Sequence, residues 1–259
     1  MTIATGDVRT CCATAYASEA ARYLLGDSFH PGGPELTLDL LRALRVSASA
    51  VVADVASGPG SSARLAARQL GCAVVGLDLS LESARAAQEG AVREGVADRV
   101  HFVAADAERL PLPDASVDGV LCECALCLFG DKERAMREIV RVLRPGARLA
   151  LSDVTASPDR LPSRLRQLDA HVACLAHASP LADIAALAEG AGMIVETVES
   201  REGAAHAMLD QIDARLRVAR LFVAGPLADR LETGRELLAA ARTALREGTL
   251  GYGVVIARR

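Results

Sequence analysis

From residue 51 onward, short apolar runs alternate with stretches in which apolar residues recur every three or four positions. The runs 51–55 (Val-Val-Ala-Asp-Val), 73–78 (Ala-Val-Val-Gly-Leu-Asp), 100–104, 117–122 and 147–153 are bounded by Gly, Pro, Asp and Ser, and they read as buried strands. Between them, residues 61–70, 80–94 and 131–143 carry the spacing of amphipathic helices, while a loop with a short helical turn follows the third strand. Arg144-Pro145-Gly146 reads as a turn into the fifth strand. Such β-then-α alternation predicts an α/β fold with a parallel, doubly wound sheet and helices on both faces. A ligand site then belongs beyond the carboxyl ends of the strands.

The flanks follow another pattern. Residues 15–25 and 36–44 have helical spacing on either side of the turn Gly26-Asp-Ser-Phe-His-Pro-Gly-Gly33. After Asp153 the chain reads as helices over 161–177 and 180–191, a strand over 193–198, a long helical stretch over 205–246 and a closing strand over 251–257. That stretch is longer than a hairpin needs, which predicts a helical insertion serving as a lid or dimer surface. Ile212, Leu216, Ala219, Val223 and Leu227 recur along it at helical spacing, as core packing requires.

Composition narrows the function classes. A chain of 259 residues with 29 basic and 33 acidic side chains, net −4, has no electrostatic footprint for nucleic acid or an anionic membrane. The start Met1-Thr-Ile-Ala lacks a leader pattern and no window is apolar enough to span a bilayer, so a soluble, cytoplasmic protein is expected. Aromatic residues make up 3% of the chain, with no Trp, which argues against stacking on bases or sugars. The seven cysteines, at 11, 12, 72, 122, 124, 127 and 174, are odd in number and point to thiols with redox, metal-binding or nucleophilic work. Cys72, just ahead of the apolar run 73–77, is expected in the core.

Chemistry-bearing residues gather at the strand ends. Asp54-x-x-x-Gly58-x-Gly60 follows the first strand, and its glycines let a backbone approach a nucleotide-like ligand. Asp78, at the end of the second strand, suits the two hydroxyls of a ribose. Asp106 after the third can accept from an adenine amino group, with a helix N-cap as its structural alternative. The glycine turn alone leaves a nicotinamide dinucleotide open, because Ala63 stands where that fingerprint tolerates alanine.

Taken in order, Asp54…Gly58-x-Gly60, Gly76-x-Asp78, Asp106 and Leu143-Arg-Pro-Gly146 resemble the class I S-adenosylmethionine-dependent methyltransferases over residues 45–155. The resemblance implies a Rossmann-like, mostly parallel seven-stranded sheet with an antiparallel final strand. Residues 1–46 would then form an N-terminal helical cap, 47–156 the cofactor-binding core, and 157–259 the substrate-side helices, helical insertion and closing strands. It also implies S-adenosyl-L-methionine as cofactor: Asp54, Ala56, Gly58 and Gly60 surround its methionine part, Asp78 and Leu79 its ribose and adenine, Asp106 and Ala107 the adenine edge, with Cys122 a further contact.

Within that superfamily, Cys122-Glu-Cys124-Ala-Leu-Cys-Leu-Phe-Gly-Asp131-Lys and Ser152-Asp-Val154 resemble the matching segments of arsenite methyltransferases. The family's thiols fall on Cys124 and on Cys174, within Ala173-Cys-Leu-Ala-His-Ala178. The implied acceptor is trivalent arsenic, a soft centre that thiolates select and whose lone pair attacks the methyl group. A thiol reductant such as glutathione or thioredoxin is the implied partner. A family thiol before the first motif is missing from Arg22-Tyr-Leu-Leu-Gly26-Asp27, and Cys11, Cys12 and Cys122 are candidates to replace it. Strand alternation points Cys122 and Cys124 to one side and leaves Cys127 open.

Several readings stay beside these. His30-Pro-Gly-Gly33 is either a mobile flap or an ordinary turn, and His171 and His177 flank Cys174 on its helix. The cysteines lack tetrahedral zinc spacing. Another small acceptor, such as a thiol, a quinone or a natural-product carbon or oxygen, is the alternative substrate. A non-catalytic metalloid- or cofactor-binding protein is the alternative of another class.

Overall fold

The computed structural model describes residues 23, 26, 28–166, 175 and 177–259. The helix expected over 15–25 falls largely outside them, as do Cys11, Cys12, His171 and Cys174. Helix α1 (Gly33–Leu44) opens with Pro34 in its first turn and buries Leu36, Leu40, Leu41 and Leu44, the three-and-four spacing seen in the sequence. Then follow β1 (Val51–Val55), α2 (Ser61–Leu70), β2 (Ala73–Asp78), α3 (Leu81–Arg93) and β3 (Val100–Ala104). Next come β4 (Val117–Glu123), a 3-10 turn (Leu126–Leu128), α4 (Lys132–Val142) and β5 (Leu143–Ala156). Side-chain caps start two of the helices: Ser80 accepts from Ser83 N ahead of α3, and Asp131 accepts from Arg134 N ahead of α4.

The remaining elements are α5 (Ser163–Arg166), α6 (Leu181–Gly190), β6 (Ile194–Ser200), α7 (Glu202–Arg220), α8 (Pro226–Arg246) and β7 (Leu250–Arg258). All seven strands form one sheet in the order β3-β2-β1-β4-β5-β7-β6. β1 through β5 pair in parallel, and β7 runs antiparallel to both β5 and β6, as the family resemblance implies of the closing strand. The chain winds outward through β1, β2 and β3, then returns to lay β4 against the other side of β1. That reversal opens a crevice at the carboxyl ends of β1 and β4.

Two cores cover the sheet. On one face Val52, Val74, Leu121 and Ala150 pack under α1 and α2; on the other Ala53, Val120, Leu149 and Leu151 pack under α4 and α6. A third cluster, Ala156, Leu161, Leu165, Ala244 and Leu245, seats α8 against the end of β5.

Two expectations change. The long helix over 205–246 is two helices, because Gly225 takes a left-handed φ of 60° and Pro226 opens a new helix after it. Along α7 Leu216 is buried while Ile212 and Ala219 are half-buried, and Asp210 and Asp213 pair with Arg242 of α8. The Arg144-Pro-Gly146 turn lies inside β5, as an irregularity that moves the ladder from Val117↔Leu143 to Gly119↔Arg148. Of the expected 161–177 helix, α5 and residues 175 and 177 are described, and 167–174 and 176 lie outside the described residues.

Candidate active site

The crevice holds a cavity whose walls come from the ends of β1, β2, β3 and β4 and from the segment before α1. The glycine turn forms its floor. Ala56, Gly58 and Gly60 all have positive φ (60°, 51° and 76°), and Ser57 N donates to Leu77 O at 3.0 Å, tying the turn to β2. The two glycines do different work. A Cβ at Gly58 would meet nothing within 4 Å, whereas one at Gly60 would lie 2.3 Å from Phe102 Cζ. Gly76 meets the same ring at 2.3 Å, so Phe102 of β3 fits between Gly60 and Gly76. Gly60 thus serves helix-on-sheet packing and does not line the cavity, while Gly58 does.

Four carboxylates line the cavity, Asp54, Asp78, Glu82 and Glu123, and no Lys or Arg is among the described lining residues. Asp78 is fixed by two backbone donors, Gly58 N on Oδ2 and Ser80 N on Oδ1, both at 2.8 Å. A carboxylate has lone pairs left for two hydroxyls after such contacts. Burial raises the Asp78 pKa, and these two backbone hydrogen bonds oppose the rise. Asp54 is buried, its Oδ2 has no hydrogen-bond partner, and the Ser57 hydroxyl is likewise buried and unpaired. Desolvation first, then the charges of Glu123 and Asp78, hold the Asp54 carboxyl well above the ordinary range.

Glu123, the last residue of β4, carries the densest polar contacts. Thr37 Oγ1 donates to its Oε1 at 3.0 Å, Ser62 Oγ donates to its Oε2 at 2.5 Å, and His30 Nε2 lies 3.5 Å from Oε1. Phe29, Ala125, Leu128 and Phe129 add apolar surface to the lining. Ala105 and Ala107 flank Asp106 and line the cavity; Asp106 itself is outside the lining, and its Oδ1 accepts from Glu108 N at 2.9 Å in a turn that no helix follows, so it is not the helix N-cap weighed from sequence. Leu79 lines the rim and is 43% exposed.

The cysteines divide. Cys124 lies on the cavity wall with a φ of 53°, its N–H donating to Ser152 O at 2.7 Å. Cys122 is fully buried in the core under α4, away from the cavity lining, and Cys124 packs against the opposite core. The expectation that they share a side is therefore corrected: β4 ends at Glu123 and the left-handed residue after it breaks the alternation. Cys122 is likewise corrected as a cavity thiol or cofactor contact, since burial pushes its pKa far up and keeps it a neutral packing residue. Cys127 is buried, with its N–H and thiol on the carboxylate of Asp153. Cys72 is a core residue. His177 is exposed, and its carbonyl accepts from Lys132 Nζ at 2.5 Å. Among the described residues no group of three or more His, Cys, Asp or Glu is arranged to hold a metal ion.

Reading the sequence left Glu123, Ser62 and Thr37 without a role and gave His30 only the choice of flap or turn. Glu123 closes an apolar strand as Asp78 does, between Cys122 and Cys124. Nothing in the sequence announces Thr37, which reaches Glu123 only because α1 packs across β4.

Comparison with known proteins agrees with this fold. Residues 53–151 match the family model described as a methyltransferase domain. The methyltransferase GfsG of Streptomyces halstedii is 36% identical over 152 residues, covering 53% of this chain and 55% of that protein. An arsenite methyltransferase of Halobacterium salinarum is 35% identical over 150 residues, covering 57% of this chain and 38% of that protein. The chain thus spans about half or less of the length of these curated relatives. Among solved structures, phosphoethanolamine N-methyltransferase 2 of Haemonchus contortus, in complex with S-adenosyl-L-methionine, matches with a TM-score of 0.80 at 21% identity, covering all of this chain and 60% of that one. That likeness shows the doubly wound fold.

Proposed function

We propose that this chain, which carries a methyltransferase domain over residues 53–151, transfers the methyl group of S-adenosyl-L-methionine to a small-molecule acceptor. The observation that carries this reading is the charge of the cavity: Asp54, Asp78, Glu82 and Glu123 without an opposing Lys or Arg among the described lining residues. A cofactor bearing a sulfonium and an ammonium is attracted there, whereas the diphosphate of a nicotinamide dinucleotide is repelled. The unpaired, buried Oδ2 of Asp54 is the kind of group that a bound cation or hydrogen-bond donor satisfies.

Bound there, S-adenosyl-L-methionine supplies an electrophilic methyl group. Asp78 would hold the ribose through its remaining lone pairs, Gly58 would leave room for the methionine part, and Ala105 and Ala107 would leave room for the adenine ring. Phe29, Leu128 and Phe129 would give the transfer path an apolar wall. The chain gains rate chiefly by holding acceptor and donor in line. Calorimetry with S-adenosylhomocysteine, alongside incubation with labelled cofactor, tests the reading. Binding that Asp78→Ala abolishes supports it, and no binding by the unaltered protein removes it.

For the acceptor, trivalent arsenic is supported by Cys124 on the cavity wall and by the segment resembling arsenite methyltransferases, with Cys174 and either Cys11 or Cys12 as the further thiols. A thiol reductant such as glutathione or thioredoxin and a cytoplasmic location belong to that reading. A second reading, an organic small molecule, is favoured by the placement of Cys122 and Cys127 in the core, which leaves Cys124 as the one described thiol facing the cavity. Labelled cofactor with arsenite and glutathione separates the two: methylated arsenic lost in both Cys124→Ser and Cys174→Ser supports the first, and turnover indifferent to both supports the second.

A further inference from the structure

We propose that Arg215 of α7 is a positioning residue for the cavity: by holding the chain at Gly26 it keeps Phe29 in the cavity wall and so lengthens the stay of a bound ligand. This gives the insertion of α7 and α8 a task at a site it does not line. The proposal rests on the methyl-transfer reading above only in the choice of ligand for its second test.

Residues 28–33 run directly into α1 and contribute Phe29 and His30 to the cavity lining. No residue of α7 or α8 is among the described lining residues, so the insertion is not itself the cover of the site. At its downstream end the segment is anchored on the core. Leu36 N donates to Gly32 O at 3.2 Å, His30 Nε2 lies 3.3 Å from Thr37 Oγ1, and Thr37 Oγ1 donates to Glu123 Oε1. The upstream anchor comes from α7. Gly26 has a φ of 85°, and a Cβ there would lie 3.0 Å from Arg215 Nη2 and 3.2 Å from Nη1, so the guanidinium rests against backbone that carries no side chain. Three residues earlier, Tyr23 Oη donates to the carbonyl oxygen of the same arginine at 3.4 Å.

Arg215 stands on a fixed support. Leu216 beside it is buried, Leu209 packs on the cluster at the end of β5, and Asp213 pairs with Arg235 and Arg242 of α8. A guanidinium is flat, with its N–H donors in its own plane, so its face can rest on Gly26; the tetrahedral ammonium of a lysine has no such face. A segment held at both ends samples few conformations, and Phe29 lies between the two anchors. Releasing the upstream anchor returns conformational freedom to the segment, Phe29 leaves the wall more often, and a ligand behind it departs sooner.

Hydrogen exchange on the ligand-free protein tests the anchor directly. Amides of residues 28–33 should exchange faster in Arg215→Ala than in the unaltered chain, while those of the strands keep their protection. Stopped-flow displacement of S-adenosylhomocysteine tests the consequence. Its dissociation should be about tenfold faster in Arg215→Ala, the scale of one lost polar contact. Arg215→Lys, which keeps the stem and the charge and disturbs the fold least, should show the same two changes to a smaller extent. In a Phe29→Ala background, Arg215→Ala should add less than about twofold, because the side chain through which it acts is gone. Arg217→Ala, two residues along α7 with a solvent-exposed side chain, should leave exchange and dissociation as they are. Unchanged exchange in Arg215→Ala, unchanged dissociation, or an effect of full size persisting in the Phe29→Ala background would each overturn the proposal. Failure of the unaltered protein to bind S-adenosylhomocysteine would instead strike at the methyl-transfer reading, and the exchange result would still decide whether Arg215 holds the segment.

Discussion

At Gly58 and Gly60 one sequence motif hides two different constraints, and single substitutions separate them. Both residues have left-handed φ, so alanine at either position bears about 1 kcal/mol of backbone strain. At Gly60 the new methyl also collides with Phe102, and overpacking raises the cost to about 3 kcal/mol. At Gly58 it projects into the cavity. Gly60→Ala should therefore lower the melting temperature strongly, and Gly58→Ala should weaken S-adenosylhomocysteine binding while the fold stays nearly as stable; calorimetry and thermal denaturation on both variants check the split. Asp153 offers a second residue-scale prediction. Burial raises its carboxyl from 3.8 to about 6, against the pull of Cys127, Val154 and Lys132. An acid whose folded pKa is raised stabilises the fold at low pH, fully below about 3.8, and that contribution disappears as pH climbs through about 6. The loss by neutral pH is about 3 kcal/mol. Asp153→Asn breaks a hydrogen bond at every pH, but relative to the unaltered chain it should gain by that amount between pH ~4 and ~7, measured by urea unfolding. Such residues show what sequence can convey: Asp54 and Asp78 stand at strand ends, whereas the role of Asp153 depends on which buried N–H and thiol the fold brings to it.

The strands were legible because their signal is local. Apolar runs ended by Gly, Asp or Ser place β1, β2 and β3 at the residues expected, and a strand's burial follows from its own sequence. Helix breaks were less legible where spacing stayed helical across them, as at 221–225, where Gly225-Pro226 ends one amphipathic pattern and starts another in the same phase. Long-range anchors left no trace at all. Arg141 of α4 donates to Leu110 O, Leu112 O, Asp114 and Glu138, and Glu138 in turn accepts from Leu110 N. This web fixes the segment that follows the cavity-lining residues Ala105 and Ala107. Replacing the guanidinium leaves two carbonyls and two carboxylates short of donors; exposed Asp114 regains water and Glu138 keeps the Leu110 N–H, so the two part-buried carbonyls carry the cost at about 1 kcal/mol each. Arg141→Leu should lower stability by about 2 kcal/mol in denaturant titration and also weaken cofactor affinity, whereas Arg137→Leu, on an exposed i,i+4 pair with Glu133, should change neither measurably.

At the scale of the whole molecule, a chain of net charge −4 brings four carboxylates together in a crevice at the sheet's reversal point. Topology explains this concentration. Parallel strands deliver their carboxyl-terminal residues to one edge, so Asp54, Asp78 and Glu123, far apart in sequence, become neighbours without any local signal requiring it. Bringing like charges together opposes folding: burial raises the Asp54 carboxyl most, and the charges of Glu123 and Asp78 raise it further. A cationic ligand reverses it. Binding confined to the folded state stabilises by about 2.7 kcal/mol at a hundredfold excess over Kd. For a chain of this length that corresponds to a rise of about 5–10 °C in melting temperature. S-adenosylmethionine should therefore raise the melting temperature by that amount, whereas NADH, with its diphosphate, should leave it unchanged at the same concentration. Asp54→Asn removes one of the mutually repelling charges, so the variant without ligand should melt higher than the unaltered protein while its rise with S-adenosylmethionine shrinks. A rise with NADH equal to that with S-adenosylmethionine would contradict the charge argument, since both ligands bring an adenosine and differ chiefly in what the four carboxylates face.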